Sequence, residues 1–234
     1  MAKTTTPLPP DSRSVVVAGA SGLVGRCLVE QLCADPSVSV VHALVRRPLA
    51  ETPPKLQVHV VDFTALPALP PVDEVYLSLG TTIKIAGSQE AFRAVDFDAN
   101  LAVARAAQAA GARRAGLVSA MGATASAGLF YSRVKGELEE ALAALHFDVL
   151  VIAQPSMLRG DRAALGQPVR PAEVWVERVN RVIGPILARR IRPVQAADVA
   201  AVLVRHVPRA PAAAAPRVVN SASMHGASRA KATR

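Results

Sequence analysis

Six runs of nearly unbroken Val, Leu, Ile and Ala mark the first two thirds of the chain: SVVVAG (14–19), VSVVHALVR (38–46), LQVHVVD (56–62), EVYLSLG (74–80), AGLVSA (115–120) and FDVLVIA (147–153). Such near-continuous apolar runs predict strands buried on both faces. Helical patterns separate several of them, at 22–34, roughly 88–110 and 128–145. Strand and helix in alternation predict parallel pairing, because parallel neighbours need a crossover of about a dozen residues. The fold class is therefore α/β, in three layers, with a doubly wound, mostly parallel sheet. Pro67, Pro70 and Pro71 break the connection before the fourth run, and Pro155 closes the sixth. Beyond Pro155 the pattern changes to a long loop (155–169), a helix over about 171–189, a short strand near 191–194, a helix over 196–207 and a last strand in PRVVNS (216–221).

These patterns divide the chain into a loose Pro/Thr-rich lead-in (1–13), one domain (14–221) and a loose basic tail (222–234). Residues 155–207 read as an elaboration of that domain on the substrate side, at the carboxyl edge of the sheet. With 51% hydrophobic residues in 234, the chain has enough apolar material for a sizeable core. The net charge of +9 is spread along the chain and is almost all arginine. Aromatics make up 3%, which leaves little for bases to stack on, so nucleic acid is not expected as a main partner. Cys27 and Cys33 sit six apart on one predicted helix and read as reduced packing residues. The five scattered histidines have no zinc-ligand spacing, so no metal is expected. The opening MAKTTTPLPPDSRS has no apolar signal core, and no apolar run reaches about 18 residues. No membrane attachment is expected, and the expected location is the cytoplasm.

Gly19, Gly22 and Gly25 fall between the first strand and the first helix. A backbone without side chains lets a diphosphate come close, and a helix N-terminus offers unpaired N–H groups with a positive dipole. Gly19, Ser21, Gly22, Leu23 and Val24 are the residues placed at that anion; the competing reading is a tight turn with no ligand. At the end of the second strand stand Arg46 and Arg47, where an NAD site normally places a carboxylate for the ribose. A guanidinium suits a 2′-phosphate instead, which favours NADP(H) over NAD(H), although adjacent arginines also suit a solvated face. Asp62 and Phe63 follow the third strand, where an adenine would lie. Leu79, Gly80 and Thr81 follow the fourth, on the ribose side. Either segment is also able to serve as an ordinary cap or turn.

The stretch VSAMGATASAGLFYSRVKGELEEAL holds Ser119, Tyr131 and Lys135. Four residues apart on a helix, Tyr131 and Lys135 address one point in space. A phenol ionises near pH ~10, and a neighbouring ammonium favours its ionised form. Tyr131 then suits proton exchange with a carbonyl or hydroxyl while hydride moves, and Ser119 suits a hydrogen bond to the substrate oxygen. The competing reading is an amphipathic helix with an interfacial tyrosine and a solvent lysine.

Taken together, Gly-x-x-Gly-x-x-Gly at 19–25, Asp62, the Ser119/Tyr131/Lys135 set and Pro155 occur in an order that resembles the atypical short-chain dehydrogenase/reductase family. The segments SLGTTIKIAGS, FRAVDFDAN, FYSRVKGELE and GDR…RPAE look like the branch that contains the human Tat-interacting tumour-suppressor oxidoreductase and its bacterial relatives. That resemblance implies a Rossmann fold, NADP(H), and contacts from Pro155, Ser156 and Met157 near the nicotinamide, with Lys135 on its ribose. One departure is Gln154 before Pro155, where relatives commonly carry arginine. The expected function is an NADP-dependent oxidoreductase acting on a carbonyl or secondary alcohol of a small metabolite, as a monomer or homodimer. Two alternatives use the same residues: a redox-sensing regulator with little turnover, and a sugar-nucleotide epimerase or dehydratase. Substrate contacts are expected from Arg162, Arg170, Glu173 and Trp175, of which Arg170 and Glu173 also suit a surface pair.

Overall fold

A computed structural model of the chain describes residues 12–49, 53–160 and 191–229. Strand β1 (Arg13–Ala18) shows how the sequence sorts itself into layers. Its side chains alternate across the sheet, so Val15 and Val17 join one apolar cluster while Val16 and Ala18 join the other. Helix α1 (Leu23–Cys33) covers the first face with Leu28 and Leu32, both fully buried. Each such leucine contributes about 1.5–3 kcal/mol over an exposed one.

Among the described residues six further strands join β1 in a single parallel sheet: β2 (Val38–Val45), β3 (Leu56–Val60), β4 (Glu74–Leu77), β5 (Arg114–Val118), β6 (Val149–Gln154) and β9 (Arg217–Asn220). Their order is β3-β2-β1-β4-β5-β6-β9. The direction of winding therefore reverses between β1 and β4, and a crevice opens at the carboxyl ends of those strands. Among the described residues two short strands, β7 (Leu158–Arg159) and β8 (Val194–Gln195), form a separate parallel pair beyond β6. The short strand expected at 191–194 is found at 194–195 instead.

Helices α4 (Asn100–Ala109) and α5 (Phe130–Ala143) bury Leu101, Val103, Leu138 and Leu142 on the second face. Helix α6 (Ala196–His206) packs beside α1 on the first. The long helix expected over 88–110 is interrupted. Thr82 caps a short α2 (Ile83–Ala86), Ser88 caps α3 (Gln89–Arg93), and a π-helical segment at Ala94–Ala99 leads into α4. Helical spacing alone does not distinguish that wider turn, and wider turns of this kind gather at functional sites.

Both ends of the domain differ from expectation. Arg13, read as lead-in, belongs to β1 and pairs with Asp35 at 3.1 Å and Glu74 at 3.0 Å. Residues 222–229, read as loose tail, are packed. Met224 is fully buried, Ala227 nearly so, and Asp198 of α6 accepts from the backbone N–H groups of Gly226 and Ser228. Small-residue composition concealed two apolar anchors and a carboxylate that holds them. The helix expected over 171–189 lies outside the described residues.

Candidate functional site

Two adjoining cavities of about 790 and 510 Å³ occupy the crevice, and both are lined by Gly22, Ser78, Leu79 and Gly80. At their junction the backbone is unusually close. Gly19 adopts φ +81°, and a Cβ there would lie 2.7 Å from the Ser78 carbonyl oxygen. One at Gly25 would lie 2.0 Å from the Gly19 carbonyl oxygen, so α1 can approach β1 only through glycine. Gly22 is the N-cap of α1, and no side chain caps the helix; its first turn holds no acid. Unpaired N–H groups with a positive dipole, beside the exposed Ser21, fit a diphosphate.

The larger cavity continues from there over the ends of β2 and β3. Arg46, Asp62, Phe63 and Asp98 line it together with Leu79 and Gly80. Arg47, which was expected beside Arg46, is exposed and lines neither cavity. The Asp62 carboxylate accepts from the backbone N–H of Thr64 at 2.8 Å and from its hydroxyl at 2.7 Å. Those two bonds, the backbone one foremost, hold it below the usual carboxylate range.

Ser119, Tyr131, Lys135, Pro155, Ser156 and Met157 all line the smaller cavity, with Leu23, Val24 and Thr81 on its near wall. Tyr131 is 39% exposed and stands against the Phe92 ring, 5.5 Å between centroids. Lys135 is 4% exposed, far from a solvent lysine. Its Nζ lies 2.8 Å from Oδ1 of Asp96, which is itself 1% exposed, while Oδ2 of Asp96 accepts from the Thr81 backbone N–H at 2.8 Å. The Asn100 amide donates to the carbonyls of Leu79 and Asp96 and ties this segment to the loop after β4. Gly136 lets α5 press onto the loop after β5: a Cβ there would sit 2.0 Å from the Thr124 carbonyl carbon.

Ser119 is present at the expected place, but its hydroxyl proton is already directed. Its Oγ donates to Oε1 of Glu139, and Gln154 Nε2 donates to both carboxylate oxygens of Glu139 at 3.0 Å. Gln154, the departure noted in the sequence, thus holds Glu139 through a neutral donor rather than a guanidinium. Asp96 and Glu139 escaped the reading of the sequence, although spacing carried a signal for each. Glu139 continues the Tyr131, Lys135 series by another four residues, and Phe92, Asp96 and Asn100 form a second series of fours whose members are all buried. Arg162, Arg170, Glu173 and Trp175 lie outside the described residues. Among the described residues no group of three or more His, Cys, Asp or Glu could hold a metal, and no helix is long and apolar enough to cross a membrane.

A family model described as NAD(P)H-binding matches residues 19–163, from the first glycine to just past β7. Among curated proteins, "Protein FMP52, mitochondrial" of Eremothecium gossypii is 38% identical over 152 residues, which are 64% of this chain and 68% of that one. The Candida albicans protein of the same name is 32% identical over 208 residues, covering 82% of this chain and 86% of its own. Among solved structures, an oxidoreductase of the short chain dehydrogenase/reductase family from Burkholderia thailandensis superposes with a TM-score of 0.65 over 94% of each chain. At 19% identity that likeness shows the fold alone. The mitochondrial names of the two curated relatives correct the expected cytoplasmic location. The expectation rested on the lack of an apolar secretory core, which is no guide to organelle addresses of another composition.

Proposed function

Because the chain belongs to the NAD(P)H-binding family, we propose that it is an NADP(H)-dependent oxidoreductase of the short-chain dehydrogenase/reductase type, acting on a carbonyl or secondary alcohol of a small molecule. One observation carries the reading. A single trough, made of two cavities that share Gly22, Ser78, Leu79 and Gly80, runs from an uncapped helix N-terminus to a phenol beside a buried lysine. A dinucleotide has that order of parts, with the adenosine toward Arg46, Asp62 and Phe63, the diphosphate at Gly19–Val24, and the nicotinamide toward Pro155, Ser156 and Met157. When bound, the cofactor supplies or accepts hydride.

The chain's own residues would do the rest. Tyr131 holds its hydroxyl at the open side of the cavity, where it gives a proton to a carbonyl oxygen or takes one from an alcohol. Lys135 fixes the ribose side with an ammonium that its burial keeps in one place. Ser119, whose proton is engaged by Glu139, offers lone pairs and orients a donor, either the phenol or a substrate hydroxyl. Arg46 at the end of β2 is the residue for a 2′-phosphate.

The test is NADPH oxidation across a panel of ketones and aldehydes with the parent and Tyr131→Phe proteins. Turnover should fall by about 10²- to 10⁴-fold in the variant, while its melting temperature stays unchanged because the side chain is 39% exposed. Equal turnover in the two proteins would remove Tyr131 from the chemistry. Arg46→Ala should weaken NADP⁺ by about tenfold and leave NAD⁺ unaltered, as measured by calorimetric titration.

A further inference from the structure

We propose that Asp96 is a positioning residue that cancels the charge of Lys135, leaving the nicotinamide end of the cleft electrically neutral, so that oxidised and reduced dinucleotide bind with similar strength. The inference rests on the dinucleotide reading above.

The geometry is that of a fixed counter-ion. Lys135 and Asp96 side chains are 5% and 1% exposed, and their charges meet at 2.8 Å. Thr81 donates its backbone N–H to the second oxygen of Asp96, so the carboxylate cannot swing away. A Cβ on Gly80 would lie 3.5 Å from Asp96 Oδ1 and 3.9 Å from Lys135 Nζ, which places this loop directly over the pair. Among the described residues that line this half of the cleft, Asp96 and Lys135 are the ones with a formal charge. The other ionisable groups nearby are engaged with partners of their own or line the other half, although Glu139 stands directly behind the cavity-lining Ser119. Glu139 is bound to Ser119 and Gln154, Arg93 and Arg133 pair with Glu137, and Asp98 lines the adenosine half.

An oxidised nicotinamide ring carries a positive charge and a reduced one does not. A buried, unscreened lysine beside it would repel only the oxidised form, and a buried, unpaired carboxylate would attract only that form. The pair does neither. Removing one member should therefore tilt the ratio of the two affinities, and the direction depends on which charge remains.

The experiment measures dissociation constants of NADP⁺ and NADPH for the intact chain at low ionic strength, by calorimetry and by NADPH fluorescence. In Asp96→Asn the oxidised-to-reduced ratio should rise about tenfold over the parent; in Lys135→Met it should fall about tenfold. The double variant should return to the parent ratio. Each tenfold step equals about 30 mV in the potential of the bound two-electron couple. Looser packing or a lost ribose contact weakens both forms alike and cannot move the ratio in opposite directions. If Asp96→Asn does not fold, Lys135→Met against the double variant carries the same comparison. Ratios that stay flat, or move the same way in both single variants, overturn the proposal while leaving the dinucleotide reading intact. A parent protein that binds neither form overturns the dinucleotide reading, and this inference with it.

Discussion

The two ends of the cleft are made of different material. At the glycine turn the contacts are backbone: Gly19 and Gly25 bring β1, α1 and the end of β4 together at distances no side chain permits. Around Tyr131 they are side chains, joined in two networks, Lys135–Asp96–Thr81 with its buried ion pair and the partly buried Ser119–Glu139–Gln154. A backbone cradle has no spare partner to rearrange, so it is fixed by shape and fails abruptly. A side-chain network keeps its shape when one charge is removed but changes its electrostatics. Architecture and chemistry are thereby divided between neighbouring turns of one crevice.

The largest effect is expected where backbone meets backbone. Gly25→Ala places a methyl 2.0 Å from a carbonyl oxygen, and denaturant titration should show a loss of more than about 4 kcal/mol, or no cooperative fold. A fully stable variant would mean that α1 is not held against β1 as described. Next comes Asp96→Ala, which strands the buried Lys135 ammonium and should lower stability by about 3–4 kcal/mol. Adding Lys135→Met to it should recover most of the loss, because the uncompensated charge goes. Failure to recover would show that packing, not charge, dominates at the pair.

A smaller effect is expected at Asp198, where one carboxylate holds backbone from a distant segment. Burial opposes its ionisation, but hydrogen bonds from Ser228 and Gly226 outweigh that and keep its carboxyl below the usual range. A lowered folded-state value gives stability that is complete above the unfolded aspartate value, near pH ~3.9, and is lost as pH falls through the folded value. Asp198→Asn should therefore melt earlier at neutral pH, by about 1–2 kcal/mol. The gap should begin to narrow below about pH 4 and close only below the folded value. A gap that persists in acid would assign the loss to packing around Met224 rather than to the carboxylate.

The same division explains what was legible in the sequence. Local rules govern the glycine turn: the residue type, its spacing and its place after a strand are all in one stretch of chain. The α/β class with parallel pairing followed from the βα alternation for the same reason, and helical spacing put Tyr131 and Lys135 on one face of a helix. Spacing marks Asp96 and Glu139, but their partners depend on which elements meet in the fold, and no local pattern states that Lys135 will face a carboxylate 39 residues earlier in the chain. The packed 222–229 segment was obscured by small residues, whose anchoring lies in Met224 and in hydrogen bonds to another element.

The central claim is that the turn between β1 and α1 cradles a dinucleotide's diphosphate. Calorimetric titration of NADPH into the folded chain tests it most directly, with Ser21→Glu as the paired variant. Ser21 is exposed, and a carboxylate there is compatible with the helix N-terminus yet repels phosphate. The account predicts saturable one-to-one binding by the parent and at least about tenfold weaker binding by a variant that melts no earlier. No binding by the parent, or equal binding by both proteins, would contradict it.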